Sequence, residues 1–186
     1  MSVSPPDVGR GWTLADLDGL PEDGQRYELV DGGLVVTPYA TQRHQDLADD
    51  LRDRLRAAAP AGWRCRVEYP LPFADDTQRI PDVVVYRWPL RHPRADARNP
   101  LGPADVGLLV EVVSRRTRRT DRFAKPGEYA EAGIGLFWRL ETEGQLELHT
   151  FVLQGAAYES AARISGHGVV RVPWGKLAID LTTLGT

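Results

Sequence analysis

The order of elements legible in the sequence predicts an α/β (α+β) fold with a mixed central β-sheet flanked by helices: a hairpin, a long helix, three strands, a second helix, and a strand leading into a C-terminal meander. Three observations carry that expectation. "RYELVDGGLVVTP" sets two β-prone runs around Asp31-Gly32-Gly33, which is hairpin-turn chemistry. Residues 43–59 repeat leucine at helical spacing, and the apolar runs in "RIPDVVVYRW" and "GLLVEVV" read as core strands.

Taken in order, "WTLADLDGLP" reads as a short helix capped by Thr13 and stopped before Pro21, and the hairpin follows. Thr41 caps the helix over roughly 43–59, where Leu47, Leu51 and Leu55 form an apolar stripe opposite Asp49, Asp50, Arg52, Asp53 and Arg54. A strand over about 63–70 leads through a polar turn, "ADDTQ", to a central strand at Val83–Tyr86. Residues 87–105 hold Pro89, Pro93, Pro100 and Pro103 among Arg87, Arg91, Arg94 and Arg98; connections this long are usually functional or mobile. The strand over 107–113 precedes a helical segment ending near Gly133 as its cap. "GLFWRLE", "QLELHTFVL" and "AAYESAARI" are then strands separated by glycine-containing turns, with Phe137 and Trp138 in the core, and "VPWGKLAIDLTTL" closes the chain as a short helix or strand.

Composition narrows the class. A chain of 186 residues that is 42% hydrophobic suits one domain, 1–186, with a sizeable core. No apolar stretch approaches the ~20 residues that span a bilayer, and "MSVSPPDVGRGW" lacks the regions of a secretory signal, so a cytoplasmic location is expected. Cys65 is the one cysteine: it reads as a small core side chain, and a thiolate zinc site is excluded. His149 and His167 have no metal-ligand spacing. A net charge of −3 gives no global electrostatic footprint for nucleic acid, so such contact must be local. Of the 23 basic residues only Lys125 and Lys176 are lysine, and the two side chains differ in chemistry.

Two acids interrupt neighbouring core strands: Asp82 in "IPDVVVY" and Glu111 in "LLVEVVS". An unpaired carboxylate in an apolar interior costs several kcal/mol. Two of them close together raise each other's pKa unless a cation lies between, and a hard divalent ion, Mg²⁺ or Mn²⁺, suits oxygen ligands. The plainer partners are a turn amide for Asp82, Arg115 or Arg118 for Glu111, and Arg26 or Arg43 for Glu28. Asp121 reads as a first-turn acid favoured by the helix dipole rather than a ligand.

With "YELVDGGLVV", "RHQ", "RIPDVVVY", "LLVEVVS", "RRTDRFAK" and "YAEAGIGLFWRLE" in that order, the chain resembles the Uma-two family of the PD-(D/E)XK, restriction-endonuclease-like superfamily over roughly residues 13–155. The resemblance implies a nuclease-like core in which acids from adjacent strands hold Mg²⁺ (or Mn²⁺) for phosphodiester hydrolysis in DNA. Asp82 and Glu111 match the two acids, and Glu28 matches a further acid that serves as ligand or orienter. His44 matches the histidine opening the long helix. The superfamily's lysine two residues after the second acid is replaced here by Val113, and Lys125 matches a lysine supplied by the following helix. Pro126 directly after Lys125 either kinks that helix or starts it. Arg115, Arg116, Arg118 and Arg119 are the candidate phosphate contacts, and cutting both strands calls for a homodimer. The alternatives are a nuclease-fold protein that binds or scaffolds without cutting, and a metal-dependent hydrolase of another phosphate ester.

Overall fold

The computed structural model describes residues 10–21, 23–38, 40–94, 99–115 and 117–185. The elements in chain order are α1 (Leu14–Leu17), β1 (Gln25–Val30), β2 (Gly33–Pro38), α2 (Gln42–Ala58), β3 (Trp63–Val67), β4 (Leu71–Ala74), β5 (Thr77–Arg79), β6 (Val83–Arg87) and β7 (Val106–Val113). They continue with a π-helical turn (Thr120–Ala124), α3 (Lys125–Glu131), β8 (Leu136–Glu141), β9 (Glu147–Gln154), β10 (Ala157–Ile164), β11 (His167–Val172) and β12 (Gly175–Asp180).

A six-stranded sheet runs β10-β9-β8-β7-β6-β3, antiparallel except for β7 and β8, which are parallel across the helical crossover. The fold is thus the mixed α+β arrangement expected. The hairpin of β1 and β2 turns at Asp31 and Gly32, both at positive φ (48° and 74°), the geometry whose twist matches that of the flanking strands. The polar turn at 75–76 joins β4 and β5, two strands too short to register as periodic runs. They extend the hairpin into a four-stranded sheet, β2-β1-β5-β4. The expected strand over 63–70 ends at Val67, because Glu68 sits at φ 46° and breaks the pleat.

The leucine stripe of α2 works as anticipated. Leu47, Leu51 and Leu55 are buried against Cys65, Val83, Val85, Leu108, Val110 and Val112 on one face of the large sheet. The opposite face packs Leu71, Val84, Tyr86 and Leu109 against Tyr129, Ile134 and Phe137. Phe137 and Trp138 are both fully buried, so the core assignment holds for each. Burial pushes the Cys65 thiol up to about 11, which keeps it protonated and inert near neutrality.

The connection over 87–105 is anchored where it is described. Buried Asp105 accepts hydrogen bonds from the Arg91 and His92 amides at 3.0 and 2.8 Å, and Leu101 enters the second core. Arg98 lies outside the described residues. The C-terminal tail resolves as the hairpin β11–β12, which sends Val170, Val172 and Ile179 into the first core. Arg54 of α2 fastens it by donating to the carbonyls of Asp180 and Thr183 at 2.9 and 3.1 Å. Among the described residues no helix is long and apolar enough to cross a membrane.

Gly107 near the start of β7 permits this packing. A Cβ there would stand 2.6 Å from the Trp63 ring and 2.8 Å from Pro173, atoms of β3 and of the turn between β11 and β12. Gly107→Ala is therefore expected to destabilise the protein by about 1–3 kcal/mol through overpacking, read as a lowered urea midpoint by tryptophan fluorescence.

Candidate active site

Alternation along paired strands decides where the two acids go. In β7, Leu108, Val110 and Val112 face α2, so Leu109 and Glu111 face the other way; in β6, Val83 and Val85 face α2 and Val84 the other way, and Asp82 stands in the bend just before the strand. Antiparallel pairing of Val83 with Val110 sets Asp82 at the end of β7 where Glu111 stands. Both are almost fully buried, 3% and 1% exposed.

Each acid has its own partners. Asp82 Oδ2 accepts from the Val112 amide at 2.7 Å and lies 3.2 Å from His44 Nε2, while Oδ1 faces the Arg26 guanidinium at 3.4 Å. Burial works to raise the Asp82 pKa, but His44, Lys125 and Arg26 outweigh it and hold the carboxyl at about 2. Glu111 accepts from Lys125 Nζ at 2.9 Å on Oε2 and from the Tyr129 hydroxyl at 2.6 Å on Oε1. Both oxygens thus meet a donor of the helical segment. Burial nonetheless drives its pKa well above the usual range, Asp82 and Asp121 add to the rise, and Lys125 offsets part of it.

The π-helical turn brings Lys125 to Glu111. Lys125 N–H bonds to the Thr120 carbonyl, an i→i−5 contact that widens the helix just before Pro126. A proline here lacks the N–H for the next α-helical bond and its ring crowds the carbonyl four residues back; the wider turn is where that irregularity is taken up. The helix therefore runs through, and Asp121, Lys125 and Tyr129, spaced by four, share the face toward Glu111. Asp121 is a first-turn acid as expected, and it is also buried: it is 1% exposed and lies 3.1 Å from Lys125 Nζ. Burial raises its pKa above the ordinary value despite Lys125.

Glu28 is engaged elsewhere. It pairs with Arg79 at 3.2 Å and accepts from the Ile80 amide at 2.8 Å, so its partner is neither Arg26 nor Arg43. Arg79 in turn is gripped by Glu128 at 2.6 and 2.7 Å. Arg26 bridges Glu68 (3.3 Å) and Asp82 and donates to the Ile80 carbonyl. It also lines a cleft of about 870 Å³ together with Tyr27, Glu68, Gln78, Arg94 and Asn99. His44 Nε2 lies 2.8 Å from the Val112 carbonyl, and both facing groups are acceptors, so Nε2 carries the proton. Burial lowers the His44 pKa and the Asp82 contact more than reverses it, leaving it raised.

The structure thus gathers Asp82, Glu111, Lys125 and His44, with Glu28 one layer away. Of the arginines, Arg115 pairs with Glu143 at 3.0 Å on the surface, Arg118 and Arg119 are exposed, and Arg116 lies outside the described residues. The contacts of Asp121 and Tyr129 at the cluster, of Arg26 with Asp82 and of Arg79 with Glu28 went unrecognised in the sequence; the four-residue spacing of Asp121, Lys125 and Tyr129 was the available signal.

Four buried carboxylates, Glu111, Asp121, Glu28 and Asp82, act on the Lys125 ammonium and hold it above its ordinary pKa against the effect of burial. Glu68 and Glu128 add two more acids, against Lys125, Arg26, Arg79 and His44, whose pKa is raised. Acid is in surplus, and all the donors are oxygen. That chemistry fits a hard divalent cation. Among the described residues no three His, Cys, Asp or Glu side chains are grouped as around a metal ion. Binding through one or two carboxylates, with water completing the shell, is the usual mode for Mg²⁺.

A model of the family described as "Putative restriction endonuclease" matches residues 14–173. Among solved structures, the chain is similar to a protein from Anabaena variabilis described as a putative nuclease belonging to DUF820, with 16% identity, a TM-score of 0.70, and coverage of 92% of this chain and 96% of that one. At that identity the likeness is one of fold. No curated protein matches.

Lys125 is the buried counter-charge of this cluster. Lys125→Met is expected to cost about 3–5 kcal/mol at neutral pH by stranding Glu111 and Asp121. Both acids have folded-state pKa values above their unfolded ones, so the stability they bring is present when protonated and lost as pH rises. The penalty should therefore shrink as pH falls toward 5, measured by urea unfolding of variant and parent across that range.

Proposed function

The chain belongs to the family described as "Putative restriction endonuclease", and on that premise we propose that it is an endonuclease hydrolysing DNA phosphodiester bonds with Mg²⁺ or Mn²⁺. The observation that carries the reading is the placement of Asp82 and Glu111 at the same end of the β6–β7 pair, with the buried ammonium of Lys125 against Glu111. Asp82 and Glu111 would hold the ion, with Glu28 ordering the adjoining layer through Arg79 and Ile80 rather than binding metal directly. The ion supplies Lewis-acid polarisation of the phosphodiester oxygens.

The remaining roles belong to the chain. Asp82, held at about 2, is a carboxylate at every working pH and offers negative charge without a proton to lose. Lys125, its pKa raised, stays an ammonium and acts as a charge donor rather than a base, neutralising phosphate charge as it builds. Tyr129 fixes one Glu111 oxygen and Lys125 the other, which orients the carboxylate. His44 fixes Asp82 in the same way from α2. Arg118 and Arg119 extend the positive surface toward the DNA backbone, and a second copy of the chain supplies the second cut.

A second reading, a nuclease fold that binds nucleic acid without cutting, is favoured by one observation. Glu111 already has Lys125 as its counter-charge and neither acid is open to solvent. One experiment separates the two. Incubation with supercoiled plasmid is expected to give nicked and linear DNA with Mg²⁺ and none with EDTA; Asp82→Ala and Glu111→Ala should abolish it, and Lys125→Ala should lower the rate about 10²–10³-fold, as loss of one electrostatic donor does. Binding without Mg²⁺-dependent cleavage, or undiminished cleavage by the Asp82 and Glu111 variants, overturns the endonuclease.

A further inference from the structure

The outer face of the same helical segment carries a group that the site leaves unused. Phe123 is 76% exposed, the most exposed large hydrophobic side chain among the described residues. It falls midway between Asp121 and Lys125, which point inward, so it stands on the opposite side of a helix about 10 Å across. Arg119 lies four residues before it on that outer face, and Gly127 four residues after. Gly127 has no intramolecular reason to be glycine: its φ is ordinary and a Cβ there would meet no atom within 4 Å. Glycine inside a helix costs about 1 kcal/mol relative to alanine, yet here it leaves a notch beside an exposed ring.

The charges on this face say what could fill it. Arg115 is committed to Glu143 and Arg122 to Glu141. Arg118 and Arg119 are exposed and enter no ion pair among the described residues, in a chain whose net charge is −3. The uncommitted guanidinium of Arg119 one turn from a bare aromatic ring, with that of Arg118 exposed at the start of the same segment, matches a phosphate backbone with an accessible base. Stacking on an aromatic ring needs an unpaired base, because the faces of a paired base are covered by its neighbours in the duplex.

We propose that Phe123 and the Gly127 notch form a base-stacking platform for single-stranded or unpaired nucleic acid, with Arg118 and Arg119 holding the flanking phosphates. The proposal rests on the nucleic-acid reading above and narrows its substrate to strands with unstacked bases next to the cut. Since the helix stands between Phe123 and Glu111, the stacked base is a neighbour of the reacting nucleotide, and Phe123 is a specificity-determining residue rather than a catalytic one.

The test is fluorescence anisotropy in EDTA, so that cleavage plays no part, with a fluorescein-labelled single strand and the matching duplex titrated with the full chain. The parent should prefer the single strand. Phe123→Ala should weaken single-strand binding about 5- to 150-fold, the loss of one stacked base at about 1–3 kcal/mol, with duplex affinity and salt slope unchanged. Arg118→Ala and Arg119→Ala should instead lower the single-strand salt slope by about 0.7 each. Gly127→Leu, which suits a helix better than glycine and meets no neighbour, should fold normally and still lose single-strand affinity. Unchanged affinity in Phe123→Ala, or equal losses on single strand and duplex, overturns the platform and leaves the endonuclease standing. A parent that binds neither ligand overturns both. Sedimentation showing that Phe123→Ala dissociates a dimer while strand binding persists assigns the face to a second copy and overturns the platform.

Discussion

Housing two acids in a nearly dry interior is the constraint around which this molecule is arranged. Neither Asp82 nor Glu111 has enough water to solvate its charge, so each must be compensated by protein. The compensation comes from four directions: Arg26 from the N-terminal hairpin, His44 from the first turn of α2, the Val112 amide from β7 itself, and Lys125 with Tyr129 from α3. Four elements distant in sequence are thereby tied to one end of the interior β6–β7 pair. The arrangement also divides the acids into unlike partners, one depressed to about 2 and the other raised, a separation typical of sites where neighbouring carboxyls do different work.

How much of this was legible beforehand follows from the range over which each signal acts. Asp82 and Glu111 stand out because each breaks an apolar run, and one residue in a short window suffices to see that. The leucine stripe of α2 and the Asp31-Gly32 turn are equally local. The strands β4 and β5 were missed because four and three residues give alternation no room to repeat. Arg79 and Arg26 were not assignable to Glu28 and Asp82, since those pairs span 51 and 56 residues and exist only once the small sheet has formed. The burial of Asp121 was not legible for a different reason. The helix dipole favours an acid in the first turn whichever way it points, and direction here is set by the widened turn before Pro126, which spacing alone does not announce.

The widened turn also links the site to its surroundings. It directs Asp121 and Lys125 inward while presenting Phe123 to solvent, so one short segment serves the buried acids on one side and the surface on the other. The family and the fold anticipated from ordered motifs are those found, while the roles of individual side chains rest on contacts that only the folded chain provides.

The pairing of Val83 with Val110 has a further consequence for how the chain finds this structure. Sliding β6 past β7 by a single position would swing one carboxylate into the leucine-lined layer beneath α2, away from Lys125 and Tyr129, at a penalty of several kcal/mol. The two buried acids therefore also act as a proofreading device for strand alignment, discouraging the misaligned sheets that a run of near-identical valines would otherwise tolerate.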